Sequence, residues 1–257
     1  MDHRVDLNAD LGEGFGAYRY GADEELIPLV SSANIACGAH GGDPSVMRRA
    51  AALAAGHGVV IGAHPGYPDI AGFGRRYMAL SPREVTDSLL WQIGALDGIC
   101  RAEGTRIRYV KPHGALYNAA ARDQAPAEAI VGAIRLYDKG LMLLCPAGSA
   151  LAAAAEANSV RCAREFFADR AYNEDGSLVS RSMPGAVISD ERSVCERVLK
   201  AVKTGLVTAQ SGADISVRFD SICLHGDNPV AVALARAVRS ALSREGVSIK
   251  PFAAGDN

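Results

Sequence analysis

The chain has 257 residues, 49% of them hydrophobic, and a formal net charge of −2. That is ample for one sizeable core, and the charge balance gives no reason to expect nucleic acid or an anionic membrane as a partner. Apolar runs such as Leu141 to Cys145 are far too short to span a bilayer, and no apolar segment follows Met1-Asp2-His3-Arg4, so no secretory signal and a cytoplasmic setting are expected.

The first ordered stretch alternates Val5, Leu7 and Ala9 with Asp6, Asn8 and Asp10, then runs into Gly12-Glu13-Gly14, as a strand delivering acids to a sheet end would. A short helix is expected from Asp23 to Val30, and a second strand from Ser32 to Cys37, ending in Gly38-Ala39-His40. Asp43-Pro44 gives an N-cap with proline at the first helical position. The third strand, Val59 to Ala63, leads to His64-Pro65-Gly66, then to a glycine-containing loop with Phe73-Gly74-Arg75-Arg76 that is long enough to cover a substrate. Ser81-Pro82-Arg83-Glu84 is a capping box, opening a helix to about Glu103 with Val85, Leu89, Ile93 and Leu96 on one face. The fourth strand, Arg106 to Val110, delivers Lys111-Pro112-His113-Gly114, and a helix follows from Asp123 to Asp138. The fifth strand spans Leu141 to Cys145, a sixth lies near Val160 to Cys162, and an irregular connection covers residues 171–186. A helix from Asp190 to Thr204, a strand from Ser221 to Leu224 ending in His225-Gly226-Asp227, a helix to Glu245 and a short edge strand at Val247 to Lys250 complete the chain. Strands alternating with helices predict a parallel sheet. Because nearly every strand end carries polar groups, a single (β/α) barrel domain over residues 1–257 is favoured over an open sheet, which gathers its site at one switch point.

Asp10 and Glu13 are candidates for acid–base work or metal binding, though one pair of acids on a turn could equally cap it and face solvent. His40 and His64 end consecutive strands in matching Gly-Ala-His contexts, and with Asp10 they could form an Asp-His-His divalent metal site. Lys111 and His113 stand two apart and are expected on one face, the lysine to stabilise a developing oxyanion or phosphoryl group and the histidine to move a proton. His225 is a further candidate, oriented by Asp227 unless Asp227 or Asn228 caps the next helix. Arg75, Arg76, Arg170 and Arg181 lie in irregular segments, where an arginine can clamp a carboxylate or phosphate. Six cysteines stand singly, none in a C-x-x-C pair, and read as small buried hydrophobes. No dinucleotide fingerprint and no Walker A sequence occurs.

The segments Asp6-Leu7-Asn8-Ala9-Asp10-Leu11-Gly12-Glu13, Ser32-Ala33-Asn34-Ile35-Ala36-Cys37-Gly38, Gly62-Ala63-His64-Pro65, Val110-Lys111-Pro112-His113-Gly114-Ala115-Leu116-Tyr117, Phe167-Ala168-Asp169-Arg170 and Cys223-Leu224-His225-Gly226-Asp227 resemble the LamB/YcsF family along nearly the whole chain. The resemblance implies a seven-stranded, TIM-like barrel related in shape to polysaccharide deacetylases. It implies cleavage of the lactam of 5-oxoproline to L-glutamate coupled to ATP hydrolysis, with Mg²⁺ accompanying the nucleotide and two partner subunits, PxpB and PxpC. On that chemistry Asp10, Glu13, Lys111 and His113 are the expected catalytic groups, and His40, His64, Arg75, Arg170 and His225 the substrate-binding ones. Two other readings are a free-standing metal-dependent amidase or deacetylase using Asp10, His40 and His64, and a non-catalytic component that only binds 5-oxoproline.

Overall fold

A computed structural model describes residues 4–18, 20–226 and 230–253. In chain order the elements are β1 (Arg4–Leu11), α1 (Asp23–Leu26) with a 3-10 turn at Ile27–Leu29, β2 (Ser32–Ala36), α2 (Pro44–Gly56), β3 (Val60–His64), α3 (Pro82–Ala102), β4 (Ile107–Val110), α4 (Gly114–Arg122), α5 (Gln124–Tyr137) and β5 (Met142–Pro146). They continue with α6 (Ala150–Ala157), β6 (Cys162–Phe167), α7 (Glu191–Thr204), β7 (Leu206–Thr208), β8 (Asp214–Ser216), β9 (Ser221–His225), α8 (Ala231–Arg244) and β10 (Ser248–Ile249). Strands β1 to β6 and β9 are parallel neighbours in that order, and β9 returns to pair with β1, with Asp10 opposite His225. The closed barrel expected from the distribution of polar strand ends is therefore present, with the seven strands that the family resemblance implies. All seven carboxyl ends lie at one face, where such barrels build their sites.

The outward side chains of the strands, among them Leu7, Ile35, Ile61, Val110 and Ile222, form one core with the surrounding helices. Helix α3 shows how sequence sets this up. Ser81 accepts from the Glu84 amide while the Glu84 carboxylate reaches back to the Ser81 amide, and Pro82 occupies the first turn. Val85, Leu89, Ile93 and Leu96 then recur on one buried face. Burying these four contributes roughly 6–12 kcal/mol as an upper bound. Asp43 caps α2 as expected, its carboxylate accepting from the Ser45 and Val46 amides.

Inside the barrel the end opposite the site is closed by a small cluster of Tyr109, Leu144, Ala163 and Ala253, with Phe252 4.8 Å from the Tyr109 ring. Glycine at 62 is required there, because a Cβ would fall inside the Tyr109 ring.

The structure corrects several expected boundaries. Strand β6 begins at Cys162 rather than ending there, so Arg164 to Phe167 is strand and not connection. Helix α4 starts directly after His113, where no helix is expected before Asp123; its N-cap side chain makes no capping bond, which removes the usual sequence signal. The antiparallel hairpin of β7 and β8 is a further addition. No helix among the described residues is long and apolar enough to cross a membrane.

Candidate active site at the carboxyl ends of the barrel strands

The inner face of β1 supplies a column of polar groups, Asp6, Asn8 and Asp10, because side chains of a strand alternate with period two. All three are buried. At the base, Asp6 accepts from the hydroxyls of Ser31 and Ser32, each at 2.6 Å, and from that of Ser221. Burial outweighs these hydroxyls and pushes the Asp6 carboxyl up to about 6. One layer higher, the Asn34 amide donates to Asn8 Oδ1 (2.7 Å) and Asp10 Oδ1 (2.8 Å), while the Tyr109 hydroxyl donates to Asn34 Oδ1. This network fixes the amide orientations and holds Asp10 from below.

Lys111 enters from the end of β4. Its ammonium lies 2.7 Å from Asp10 Oδ1 and 2.8 Å from Glu165 Oε1, and 3.2 Å from Cys223 Sγ. The Tyr117 hydroxyl donates to the other Glu165 oxygen at 2.8 Å. The lysine is 2% exposed. Burial alone would discharge it, but Asp10, Cys223 and Glu165 around it hold its pKa well above the usual lysine value. Burial likewise opposes ionisation of Asp10, yet His64 and Lys111 bring its carboxyl well below the usual range. The centre is thus a desolvated ammonium between two carboxylates. Glu165 and Phe167 also border a cavity of about 580 Å³ that runs outward past Pro146 and Ser149, room enough for a small ligand.

A second cluster joins Glu13, His40, His64 and His113, which bring one ligand-type atom each within 4.8 Å of one another. His64 Nδ1 donates to the Lys111 carbonyl (2.7 Å), and His113 Nε2 donates to the Phe73 carbonyl (2.8 Å). A carbonyl can only accept, so those nitrogens carry the protons. The remaining nitrogens, His64 Nε2 and His113 Nδ1, face one another at 3.0 Å. Glu13 Oε1 lies 3.5 Å from His113 Nδ1 and 3.4 Å from His40 Nε2. The His40 ring stacks on His113 at 3.6 Å, with 1° between the planes. Burial and the neighbouring rings hold the pKa values of His40 and His113 well below the ordinary histidine value. The loop after β3 closes over this cluster: Phe73 and Gly74 adopt left-handed backbone, and a Cβ at 74 would come within 2.7 Å of His40 and 2.8 Å of His113.

The expected site residues therefore converge, but in a different grouping. Lys111 joins Asp10, whereas His113 turns away to His64, because the strand ends at Val110 and the pair does not stay on one strand face. Asp10, His40 and His64 do not gather as one ligand set: Asp10 Oδ1 stays 3.5 Å from His64 Nε2, while Glu13 and His113 join the two histidines in one cluster. Arg170 is buried, and its guanidinium donates to the carbonyls of Val179 (2.6 Å) and Ala186 (3.2 Å), so it organises residues 171–187 rather than facing Lys111. Arg76 is paired with Asp69, while Arg75 lies over the Phe73 ring at 4.9 Å, beside the histidine cluster. His225 is oriented by Asp169, its Nδ1 2.8 Å from Oδ1. Asp227 and Asn228, the expected orienting or capping residues, lie outside the described residues. Glu165 and Asp169 are the site residues that the sequence reading missed. The alternation of Ala163, Glu165 and Phe167 against Arg164 and Phe166 was the available signal for Glu165.

A closed parallel barrel with a buried lysine–carboxylate centre and a histidine cluster at its carboxyl face is the architecture of a TIM-like barrel enzyme site. Residues 5–257 match the LamB/YcsF family, and the chain belongs to it. A relative from Syntrophobacter fumaroxidans, named as the A component of 5-oxoprolinase, is 51% identical over 246 residues, covering 96% of this chain and 97% of that one. The crystal structure of the lactam utilization protein from Thermus thermophilus superposes with a TM-score of 0.93 at 49% identity, over 97% of this chain and all of that one. The catalytic domain of a peptidoglycan N-acetylglucosamine deacetylase from Eubacterium rectale shares the fold alone, with a TM-score of 0.51 and 10% identity over 99% of this chain and 94% of that one.

Proposed function

We propose that this chain is the A component of an ATP-dependent 5-oxoprolinase, cleaving the lactam amide of 5-oxoproline to L-glutamate with ATP hydrolysis, in a cytoplasmic assembly with PxpB and PxpC. The observation that carries the reading is the Lys111 ammonium held by Asp10 and Glu165 at the barrel mouth, in a chain half identical to proteins that carry the 5-oxoprolinase name. A lactam amide is a poor electrophile. Its cleavage calls for a fixed positive charge where negative charge develops on the amide oxygen, and a desolvated, preorganised ammonium supplies that charge. Phosphorylation of the same oxygen by ATP, with Mg²⁺ on the nucleotide, would raise the reactivity of the carbon and generate a phosphoryl group that the same lysine can stabilise. Arg75, beside His40 and His113, is the arginine assigned in this reading to the substrate carboxylate.

A divalent ion fits one part of the site. His64 and His113 each anchor their outer nitrogen on a backbone carbonyl, the arrangement that typically orients histidine ligands, and their inner nitrogens face one another beside Glu13. His40 stacks on His113, with ring centroids 3.6 Å apart, and its Nε2 lies 3.4 Å from Glu13, so it stands at the edge of the same set. Glu13, His64 and His113 would hold such an ion, which when bound would supply Lewis acidity.

The test is glutamate release from 5-oxoproline by the purified chain, with and without ATP and the two partner subunits, on metal-stripped and Mg²⁺-supplied samples. Turnover only with ATP and both partners is expected. Turnover by the chain alone, independent of ATP and restored by a divalent metal, would replace this reading with that of a metal-dependent amidase, the alternative favoured by the Glu13–His64–His113 set.

A further inference from the structure

Four histidines line the barrel mouth, and the structure distinguishes them by what their nitrogens already do. His64 uses Nδ1 on the Lys111 carbonyl and faces His113 with Nε2. His113 uses Nε2 on the Phe73 carbonyl and faces His64 with Nδ1. His40 is 1% exposed and stacked on His113, with Nε2 toward Glu13. His225 differs from all three. Its Nδ1 is 2.8 Å from Asp169 Oδ1, and Asp169 is 1% exposed. Its ring lies against Phe167, with centroids 5.3 Å apart and planes 18° apart. The same Phe167 ring lies 5.6 Å from the Lys111 ammonium. His225 also pairs in register with Asp10 across β9 and β1, and it groups with Asp10 and Cys223 within 4.8 Å. Among the described residues no hydrogen bond claims its Nε2.

A buried carboxylate accepting from Nδ1–H fixes the tautomer, leaving the lone pair on Nε2 of the neutral ring. The aromatic face prevents the ring from turning. The result is an oriented base one strand away from the lysine–carboxylate centre, which is the geometry that nucleophile activation requires.

We infer that His225 is the general base of ring opening and that Asp169 is its positioning residue. The inference rests on the cyclic-amide reading above. In the step, water attacks the lactam carbon whose oxygen, beside the Lys111 ammonium, carries the phosphoryl group from ATP, and an O–C bond forms. One water proton passes to His225 Nε2, and the C=N π pair moves onto the ring nitrogen, which takes that proton back from His225 Nε2. The C–N bond then breaks, its electrons going to the nitrogen, which takes the proton of the new hydroxyl as that oxygen closes to C=O. A second water displaces phosphate from the acyl phosphate so formed, so that lactam, ATP and two waters become one amino acid, ADP and phosphate.

The experiment uses the complete enzyme with its partner subunits. His225→Gln is expected to lower the turnover number by 10²–10⁴-fold, the usual share of general acid–base catalysis, with circular dichroism unchanged. His225→Ala should regain part of its rate with added imidazole. Asp169→Asn keeps the shape but donates to Nδ1, so it should move the His225 proton to Nε2, read as an exchange of the two ¹⁵N ring shifts, with a loss similar to that of His225→Gln. Turnover of His225→Gln within threefold of wild type, or Asp169→Asn with unchanged ¹⁵N shifts and unchanged rate, overturns the inference. Should a His225 variant fail to fold, the Asp169→Asn shifts and rate decide it. Failure of the underlying reading looks different: the unmodified enzyme with ATP and partners would then release no glutamate.

Discussion

Replacing Lys111 by methionine tests the physical account of the centre most directly. The substitution keeps most of the apolar stem of the side chain, one heavy atom shorter, and deletes the charge between Asp10 and Glu165, at 2.7 and 2.8 Å. At an effective dielectric constant of about 20, each contact carries on the order of 6 kcal/mol of Coulomb energy, largely offset by the cost of burying the ammonium. Deletion leaves two buried carboxylates facing each other without a cation, and breaking a buried pair in this way costs about 3–5 kcal/mol. The sign of the pH dependence follows. With Lys111 present, Asp10 sits well below 3.8, so its contribution is present above that value and is lost only as pH falls through its lower folded value. Without Lys111, Asp10 keeps His64 but loses its second lowering neighbour, so its carboxyl should titrate higher than in the wild type and the stability gap between variant and wild type should narrow as the pH is lowered from 7 to 5. Urea unfolding followed by circular dichroism at pH 7 and pH 5 measures both effects. Adding Glu165→Gln to Lys111→Met should recover about half of the lost stability but none of the activity. A stability loss below 1 kcal/mol at pH 7, or one that grows toward pH 5, would refute the assignment of Lys111 as the cation of a buried ionic triad.

Three further outcomes are expected. Asp6→Asn should remove a pH dependence: burial raises the Asp6 carboxyl to about 6 from 3.8, so its contribution is full below 3.8 and is lost as pH rises through about 6. The wild-type stability advantage over the variant should therefore shrink by about 2.4 kcal/mol between pH 4 and pH 7, and a flat difference in urea unfolding would contradict it. Gly62→Ala should cost about 3 kcal/mol in the same assay, because its methyl group enters the Tyr109 ring, and Tyr109→Leu should relieve part of that cost. Arg170→Met strips two hydrogen bonds from the Val179 and Ala186 carbonyls, so limited proteolysis within residues 171–187 should quicken and stability fall by roughly 2–3 kcal/mol. Its KM for 5-oxoproline should stay within twofold; a tenfold rise with unchanged proteolysis would return Arg170 to the role of substrate clamp.

Much of the barrel was legible because its signals are local. The alternation of Asp6, Asn8 and Asp10, the Ser81 capping box and the Asp43-Pro44 start each act within a few residues, and each appears where the sequence places it. Strand β6 was misplaced because Val160 and Cys162 make a short apolar run that outweighs the weaker alternation from Ala163 to Phe167. That error hid Glu165, which is buried by closure of the sheet between β5 and β9. The pairing of His225 with Asp169 spans 56 residues. Nothing local distinguishes Asp169 from the nearer Asp227, since only the return of β9 to β6 brings the two strand ends together. The histidine cluster was legible as a set of residue types at strand ends, but the choice between Asp10 and Glu13 as their companion depends on which carboxylate Lys111 engages.

That last dependence orders the whole interior by charge. At the closed end, Asp6 is surrounded by three hydroxyls and retains its proton up to about 6. In the middle, Asn8, Asn34 and Tyr109 hydrogen-bond without formal charge. Only at the carboxyl face do Asp10, Glu13, Glu165 and Asp169 collect, against one buried ammonium. Asp10 and Glu165 engage that ammonium, whereas Glu13 faces His40 and His113 and Asp169 faces His225. Burial and the neighbouring rings hold His40 and His113 below the ordinary histidine value. On the divalent-ion reading proposed above, Glu13 is then the carboxylate that meets the ion beside His64 and His113. Neutralising Glu13 with Glu13→Gln should therefore weaken divalent-ion binding, measured by calorimetry on the metal-stripped chain, by at least tenfold. Unchanged binding would place the ion elsewhere.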